Sequence, residues 1–207
     1  MRVLAIECAT EACSVALFDS DKLVAGTFEI LGRGHAERLV PMIAELPGKG
    51  RADRIFVSLG PGSFTGVRIG LAAARALGLA WQAEVLGYPT LALVSAMARE
   101  SNLGEQVTVC MNAGHGEWFV QDFDENGLSD DVAASRPPAE AARLGAFSLV
   151  AGNRAQEMIA LLGDDDHRAL DLFPDARKAQ LVPEILLSAR LTPIYGRAPD
   201  AKLPGAA

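Results

Sequence analysis

A glycine-rich segment contains the residues of this sequence whose types and spacing are best suited to binding chemistry. It reads Gly-Pro-Gly-Ser-Phe-Thr-Gly-Val-Arg-Ile-Gly and runs from Gly60 to Gly70, between an apolar run and an alanine-rich stretch. This context predicts a turn between a strand and a helix, where α/β folds place many binding surfaces. The residues expected to shape this glycine-rich loop are Gly60, Gly62, Ser63, Thr65 and Gly66.

Two uses of this loop are open. Ser63 or Thr65 could cap the following helix, and the free N–H groups at its start could hold an anion. Alternatively, the glycines permit close approach of the backbone and the loop is a tight packing turn, which physical reasoning alone favours. A Walker A loop is excluded because Val67 follows Gly66, and a nucleophile elbow is excluded because Gly62 directly precedes Ser63.

Glu7 and His35 are the two titratable residues that could form a polar site. Glu7 ends the first predicted strand, where its carboxylate could coordinate magnesium or cap a turn through the amides of Thr10 or Ala12. The absence of a second acid favours the turn. His35 begins a predicted helix, but the position four residues later on the same face is Leu39, so no second ligand for a metal stands there. Capping of the helix or a subunit contact is the expected role of His35. No histidine belongs to a triad signature. We expect no catalytic residue, no metal and no cofactor.

Composition narrows the class of protein without selecting a function. The chain has 207 residues, half of them hydrophobic, which suits one large domain or two small ones. Its net charge of −7 argues against strong tRNA binding by this chain alone, because neutralisation of phosphates dominates such binding. Three cysteines are too few for a disulfide framework or a zinc site. With no signal peptide and no run of membrane-spanning length, we expect a cytoplasmic protein.

The order of predicted elements indicates an α/β fold in which β-β-β-α-β-α occurs twice. Residues 1–102 form the first predicted domain and residues 103–207 a degenerate second domain. Leu128–Val132 is predicted as a weak third strand of the second half, and a segment around Leu181–Leu191 is expected to return toward the first domain. The helix that begins at His35 is predicted to bury one stripe, formed by Ala36, Leu39, Val40, Ile43 and Leu46.

Four parts of the sequence resemble the TsaB family. They are Met1–Leu17, the glycine-rich segment, Gly34–Ile43 and Tyr195–Lys202, and the resemblance is densest over residues 1–100. It implies the duplicated ribonuclease-H-like β-β-β-α-β-α fold of the actin-like ATPase (ASKHA) superfamily.

Two positions depart from the pattern of this family. Glu7 and Cys8 stand in Ile-Glu-Cys-Ala where TsaB relatives commonly carry Ile-Asp-Thr-Ser, so the resemblance implies a degenerate nucleotide site at Glu7. Asn112 begins a stretch in which relatives often show Asp-Ala-Arg-x-Gly-Glu, so an acid and a basic residue are missing here. The first departure moves the carboxylate by one methylene and removes a hydroxyl at Cys8, and the second puts a polar role of its segment in doubt.

The TsaB resemblance implies an accessory role in making threonylcarbamoyladenosine beside the tRNA anticodon. The chain would be a non-catalytic subunit that binds and organises its catalytic paralogue, a TsaD-type subunit, as a heterodimer. A second copy of this chain would compete for the same surface as a homodimer. A small TsaE-type ATPase would join the larger complex, and contact with tRNA would be indirect, with no membrane involved.

The resemblance places the partner interface on the helices of the first domain. The residues expected there are His35, Glu37, Leu39, Met42, Arg68, Gly70, Ala74 and Leu77. Two alternatives are open: an enzyme of the same superfamily, such as a small-molecule kinase or a peptidase, and a homodimeric binding protein with an unrelated regulatory ligand. The enzyme would need a metal pair and a second glycine-rich adenosine loop, and the sequence shows neither.

Overall fold

A computed structural model describes residues 1–163 and 165–196 of the chain. Its first half contains five strands and three helices in chain order: β1 (Arg2–Glu7), β2 (Ala12–Asp19), β3 (Lys22–Ile30), α1 (His35–Glu45), β4 (Arg54–Ser58), α2 (Phe64–Trp81), β5 (Glu84–Tyr88) and α3 (Thr90–Arg99). The strands form one sheet in the order β3-β2-β1-β4-β5. β2 pairs antiparallel with β1 and β3, whereas β1, β4 and β5 run parallel.

The second half repeats this arrangement with shorter elements. They are β6 (Val107–Gly114), β7 (Glu117–Phe123), β8 (Ala134–Arg136), α4 (Pro138–Arg143), β9 (Leu149–Ala151), α5 (Ala155–Leu162) and β10 (Arg168–Leu170). Their sheet has the order β10-β9-β6-β7-β8. Read from the other end, this is the order of the first sheet: β6, β7 and β8 take the places of β1, β2 and β3, and β9 and β10 take those of β4 and β5. The duplicated ribonuclease-H-like fold predicted from the sequence is confirmed.

The two sheets pack in layers with α3 between them. Leu93 of α3 lies in one apolar cluster with Val3 and Tyr88 of the first sheet, while Leu91 and Val94 lie in another with strands β6 and β9 of the second sheet. Helices α1 and α2 share a third cluster on the other face of the first sheet, and α4 and α5 cover the outer face of the second. The outer surfaces of α1 and α2 therefore point away from both sheets.

After β10 the chain runs back to the first sheet and across to the second. A 3-10 turn at Ala176–Leu181 packs on β1, β2 and β3, and Ser188 forms a β-bridge with Gly87. The N–H of Ile194 donates to the carbonyl of Leu59, whereas the carbonyl of Gly196 accepts from the N–H of Ser135. This returning segment is thus bonded to both halves of the molecule.

The structure corrects two elements of the second half. Leu128–Val132 is not a strand, because the carboxylate of Asp124 accepts the backbone N–H groups of Asn126 and Leu128 and holds a turn there. The third strand is instead β8, and the short strand β10 is absent from the sequence prediction. Asp164, predicted in a charged loop, and residues 197–202 of the family-like ending lie outside the described residues. Within residues 1–163 and 165–196, no helix is both long enough and apolar enough to cross a membrane.

Candidate functional site

The glycine-rich loop brings the start of α2 against the end of β1. A Cβ added at Gly62 would lie 2.0 Å from the carbonyl oxygen of Ala9, and one at Gly66 would lie 2.1 Å from that of Cys8. No side chain fits at either position, because carbon and oxygen atoms that are not bonded cannot approach so closely. The thiol of Cys8 also donates to the carbonyl of Gly66, 3.3 Å away. These contacts support the interpretation of the loop as a tight packing turn.

Ser63, and not Thr65, caps α2. Its hydroxyl oxygen accepts the N–H of Gly66 at 3.2 Å, which satisfies one of the free donors at the helix start. Its own N–H donates to the carbonyl of Ala9 at 2.6 Å. Gly60, at the other end of the loop, has φ +88 and lies against the carbonyl of Ile194 in the returning segment. The loop therefore connects β1, α2 and the returning segment.

His35 is an internal residue of the first half and does not form a partner surface. It is buried at the start of α1, and its Nε2 lies 2.9 Å from the carbonyl oxygen of Thr10 and 3.3 Å from that of Ala12. Because both partners are acceptors, Nε2 carries the proton. The residue four positions later, Leu39, is buried in the core of the first half. His35 thus fixes α1 to the β1–β2 turn.

Glu7 is buried completely and lies outside the cleft described below. Its Oε1 accepts the N–H of Ala9 at 2.8 Å, whereas Oε2 has no hydrogen-bond partner. Glu7 does cap the turn after β1, but the donor is the amide of Ala9 and not that of Thr10 or Ala12, and the amide of Ala12 donates to the hydroxyl of Thr10 instead. Burial raises the pKa of this carboxyl to about 7, against the opposing effects of the Ala9 amide and of the nearby hydroxyls of Ser58 and Tyr88. The predicted degenerate nucleotide site at Glu7 is corrected, because this side chain faces the protein interior.

A cleft of about 1070 Å³ opens between the two halves. The starts of α1 and α2, the β1–β2 turn, the β6–β7 hairpin and the end of the described chain form its walls. Residues that line it include Glu11, Gly34, Ser63, Asn112, His115 and Tyr195. This is the position at which the two halves of a duplicated α/β fold can hold a ligand between them.

A carboxylate clamp joins the two halves at one side of the cleft. The side-chain amide of Asn112, on β6, donates to Oε1 of Glu11 at 2.6 Å, and that of Asn153 lies 3.4 Å from Oε2. Asn153 in turn accepts the backbone N–H of Asn112 at 2.8 Å. Asn112, at which the resemblance to TsaB implied a missing acid, therefore does have a polar role, because its side chain binds the first half of the chain. Sequence reasoning did not identify Glu11 or Asn153, because neither belongs to a recognised motif.

The cysteines and the acidic residues do not form a reactive centre in the described part of the chain. The three cysteines are buried and free, and burial raises the pKa of Cys13 to about 11 and that of Cys110 to about 12. A thiol with such a pKa is protonated at neutral pH and is a poor nucleophile. Within residues 1–163 and 165–196, no three His, Cys, Asp or Glu side chains lie close enough together to hold a metal ion.

The structure revises the predicted interface on α1 and α2. Glu37 and Arg68 are exposed and Leu77 is partly buried, as a surface role requires. The remaining predicted interface residues are buried within the chain and cannot meet a partner directly: His35, Leu39, Met42, Gly70 and Ala74. The helices instead expose an outer face composed of Ala36, Val40 and Ala44 of α1 and of Ala72, Ala76 and Leu79 of α2.

A family model described as TsaD, tRNA N6-adenosine threonylcarbamoyltransferase, matches residues 29–189, which is more than half of the chain. The chain belongs to this family. Similar proteins include the tRNA threonylcarbamoyladenosine biosynthesis protein TsaB of Escherichia coli, 39% identical over 135 residues, and that of Haemophilus influenzae, 34% identical over 137 residues. The resemblance to TsaB found in the sequence is confirmed. An uncharacterised protein of Mycobacterium tuberculosis is 29% identical and covers 97% of this chain.

The match to the curated TsaB proteins is partial. It covers 62% of this chain and 58% of the E. coli TsaB, and 63% of this chain and 57% of the H. influenzae TsaB. The similarity of structure extends further: YeaZ from Pseudomonas aeruginosa superposes with a TM-score of 0.77 at 27% identity, and the match covers 94% of this chain and 99% of YeaZ. The ethanolamine utilization protein EutJ from Carboxydothermus hydrogenoformans shares the fold alone, with a TM-score of 0.50 at 11% identity.

Proposed function

We propose that this chain is a non-catalytic subunit in the biosynthesis of threonylcarbamoyladenosine in tRNA. In this role it binds a catalytic TsaD-type paralogue and organises it for transfer of the threonylcarbamoyl group to the adenosine next to the anticodon. Membership of the family and the names of the similar TsaB proteins support the pathway. The observation that carries the binding role is the exposed apolar outer face of α1 and α2.

The outer face has the composition of a protein-binding surface. Val40 is 62% exposed and Leu79 is 85% exposed, although both are large apolar side chains on ordered helices. Exposed alanines lie beside them, Ala36 and Ala44 next to Val40 and Ala76 next to Leu79, so a partner helix could approach the backbone closely. Apolar patches of this kind on a folded surface commonly mark sites of protein association. Because the buried sides of α1 and α2 already complete the core, this face is available to a second chain.

The described residues favour binding over catalysis. Glu7 is enclosed in the first half, His35 is bonded to two backbone carbonyls, and the hydroxyl of Ser63 is used as a helix cap. The three cysteines are buried thiols. We therefore assign the chemistry to the TsaD-type paralogue. The net charge of −7 supports indirect contact with tRNA, and a TsaE-type ATPase would join through the heterodimer.

A drop-out reconstitution tests this function. The TsaD-type paralogue, the TsaE-type ATPase and an enzyme that generates the threonylcarbamoyl adenylate are incubated with tRNA, with and without this chain. We expect threonylcarbamoyladenosine only when this chain is present, and none from this chain alone. Equal product without it would detach the chain from the pathway and favour an independent homodimeric binding protein. Product from this chain alone would show that it is an enzyme.

A further inference from the structure

An arginine that stacks on one aromatic ring and bonds to the hydroxyl of another lies where the exposed row of α2 meets the rim of the cleft. The guanidinium carbon of Arg68 is 3.4 Å from the centre of the Phe64 ring, and its Nη2 donates to the hydroxyl of Tyr195 at 3.1 Å. The two rings are 5.9 Å apart between their centres. Phe64 is 55% exposed and Tyr195 is 51% exposed. We call these three residues the arginine cluster. It joins the start of α2 to the returning segment.

Arg68 has no acidic partner among the described residues and lies near the positive end of a helix. Arg68 is the fifth residue of α2, close to the end of the helix where the backbone dipole repels a cation. α2 contains no Asp or Glu, and no carboxylate in the described part of the chain forms an ion pair with Arg68. By contrast, Arg38, Arg54 and Arg177 each bind a carboxylate. The chain has 26 acidic residues, yet none of those that the structure describes forms an ion pair with Arg68.

The arginine cluster is also prepared to bind an anion. Stacking on Phe64 and the bond to Tyr195 hold the guanidinium in one orientation, so little side-chain entropy is lost on binding. The guanidinium has five N–H donors, of which the bond to Tyr195 uses one. A planar group with several free donors matches the two oxygens of a carboxylate. Arginine and tyrosine are among the residues that most often dominate the energy of protein interfaces.

We propose that the arginine cluster binds a carboxylate side chain of the catalytic paralogue, and this inference rests on the proposed function. Continuity with the outer face identifies this occupant. Phe64, Arg68, Ala72 and Ala76 are spaced four residues apart and all are exposed, so they form one row along α2. A chain that packs on Ala72 and Ala76 and continues along the helix reaches Arg68. The apolar part of the row supplies contact area, and Arg68 supplies orientation and specificity.

The test measures the affinity of the purified paralogue for variants of this full chain by isothermal titration calorimetry. Arg68→Gln removes the cation, and we expect the dissociation constant to rise about 10- to 100-fold. Arg143→Gln is the matched control, because it removes the same charge from an exposed position on α4, on the outer face of the second sheet, and it should change the affinity less than about 3-fold. Equal weakening by both variants would contradict the proposal.

A second comparison separates partner binding from a merely structural role of Arg68. Tyr195→Phe removes the bond between Arg68 and the returning segment but leaves the cation and both rings in place. We expect the affinity of Tyr195→Phe to stay within about 3-fold of wild type. We also expect the affinity of Arg68→Gln to depend less on salt than that of wild type, because the variant lacks the cation. If Tyr195→Phe weakens binding as much as Arg68→Gln, the arginine only fastens the returning segment and the proposal fails.

The proposal and the function on which it rests fail in different ways. If the wild-type chain does not bind the paralogue at all, the proposed function is wrong. If wild type binds and Arg68→Gln binds equally well, the function stands and the carboxylate site is wrong. The melting temperature of each variant is compared with that of wild type as a control for folding. It should be unchanged, because an exposed side chain of this kind contributes little to folding.

Discussion

The Nε2 atom of His35 lies 2.9 Å from the carbonyl oxygen of Thr10, across the junction between α1 and the β1–β2 turn. This bond explains why a histidine can begin α1 without binding metal. Gly34, the residue before it, provides no side-chain cap, so the direction of the helix depends on the contact between His35 and the turn. The same turn carries Glu11, which clamps the second half of the chain.

We expect His35→Ala to destabilise the protein by about 1–3 kcal/mol, because two buried carbonyl oxygens lose their donor. Urea unfolding followed by circular dichroism measures the change. Glu37→Ala, two residues later on the exposed side of α1, is the control and should unfold like wild type. An unchanged unfolding curve for His35→Ala would contradict this role, as would stoichiometric metal in the wild-type protein by elemental analysis.

We expect Glu7 to make stability depend on pH. Burial raises its pKa in the folded state from 4.5 to about 7, whereas the unfolded chain keeps the ordinary value. Below pH 4.5 both states hold the proton and there is no penalty. Between about pH 4.5 and 7 the unfolded state loses its proton first, so the free energy of unfolding falls as pH rises, by up to about 3 kcal/mol.

The variant Glu7→Gln tests this pH dependence. It keeps an oxygen that can accept the N–H of Ala9 and cannot ionise, so the fall in stability between pH 4.5 and 7 should be smaller than in wild type. Urea unfolding at several pH values gives, for each protein, the slope of the unfolding free energy against pH. The other titrating groups are common to both proteins, so a difference between the two slopes comes from Glu7. Parallel slopes for the two proteins would show that Glu7 ionises normally.

We expect Gly66→Ala to lower stability, although glycine to alanine inside an exposed helix ordinarily raises it by about 0.5–1 kcal/mol. The sign reverses because the new Cβ would lie 2.1 Å from the backbone oxygen of Cys8, and backbone cannot move aside easily. Gly70→Ala is a graded comparison, since its Cβ meets the Cys8 sulfur at 2.8 Å. Thermal unfolding should show a smaller loss for Gly70→Ala than for Gly66→Ala.

The double variant Cys8→Ala with Gly70→Ala isolates this cause. Removing the sulfur makes room for the new Cβ, so the combined loss of stability should be smaller than the sum of the two single losses. Additive losses would show that the contact with Cys8 is not the reason that position 70 holds glycine.

The fold was predictable from the sequence because its signals are local. Turns and apolar runs located β1 to β5, and the same order in the second half indicated the duplication. The prediction missed the strand β10 (Arg168–Leu170), which is too short to show a period. It also placed a strand at Leu128–Val132, where one carboxylate, that of Asp124, organises a turn.

The surface residues were less predictable, because an apolar helix position looks the same in a core and in an interface. The stripe predicted on α1 included Val40, which is 62% exposed, and omitted Met42, which is buried. On α2 small residues occur all round the helix, and it is the proximity of Cys8, Val57 and Ile6 in the structure that shows Gly70 facing inward. The arginine cluster was beyond prediction, since Arg68 and Tyr195 are 127 positions apart.

The central claim is that the outer face of α1 and α2 binds a TsaD-type paralogue. The most direct test measures the association of the two chains with and without a charge on that face. Ala76→Glu places a carboxylate in the middle of that face at an exposed position, so the fold should be kept. Leu103→Glu, at an 85% exposed position between α3 and β6, is the control. In sedimentation velocity runs we expect a heterodimer with wild type and with Leu103→Glu, and none with Ala76→Glu. A heterodimer that forms equally well with Ala76→Glu would contradict the account.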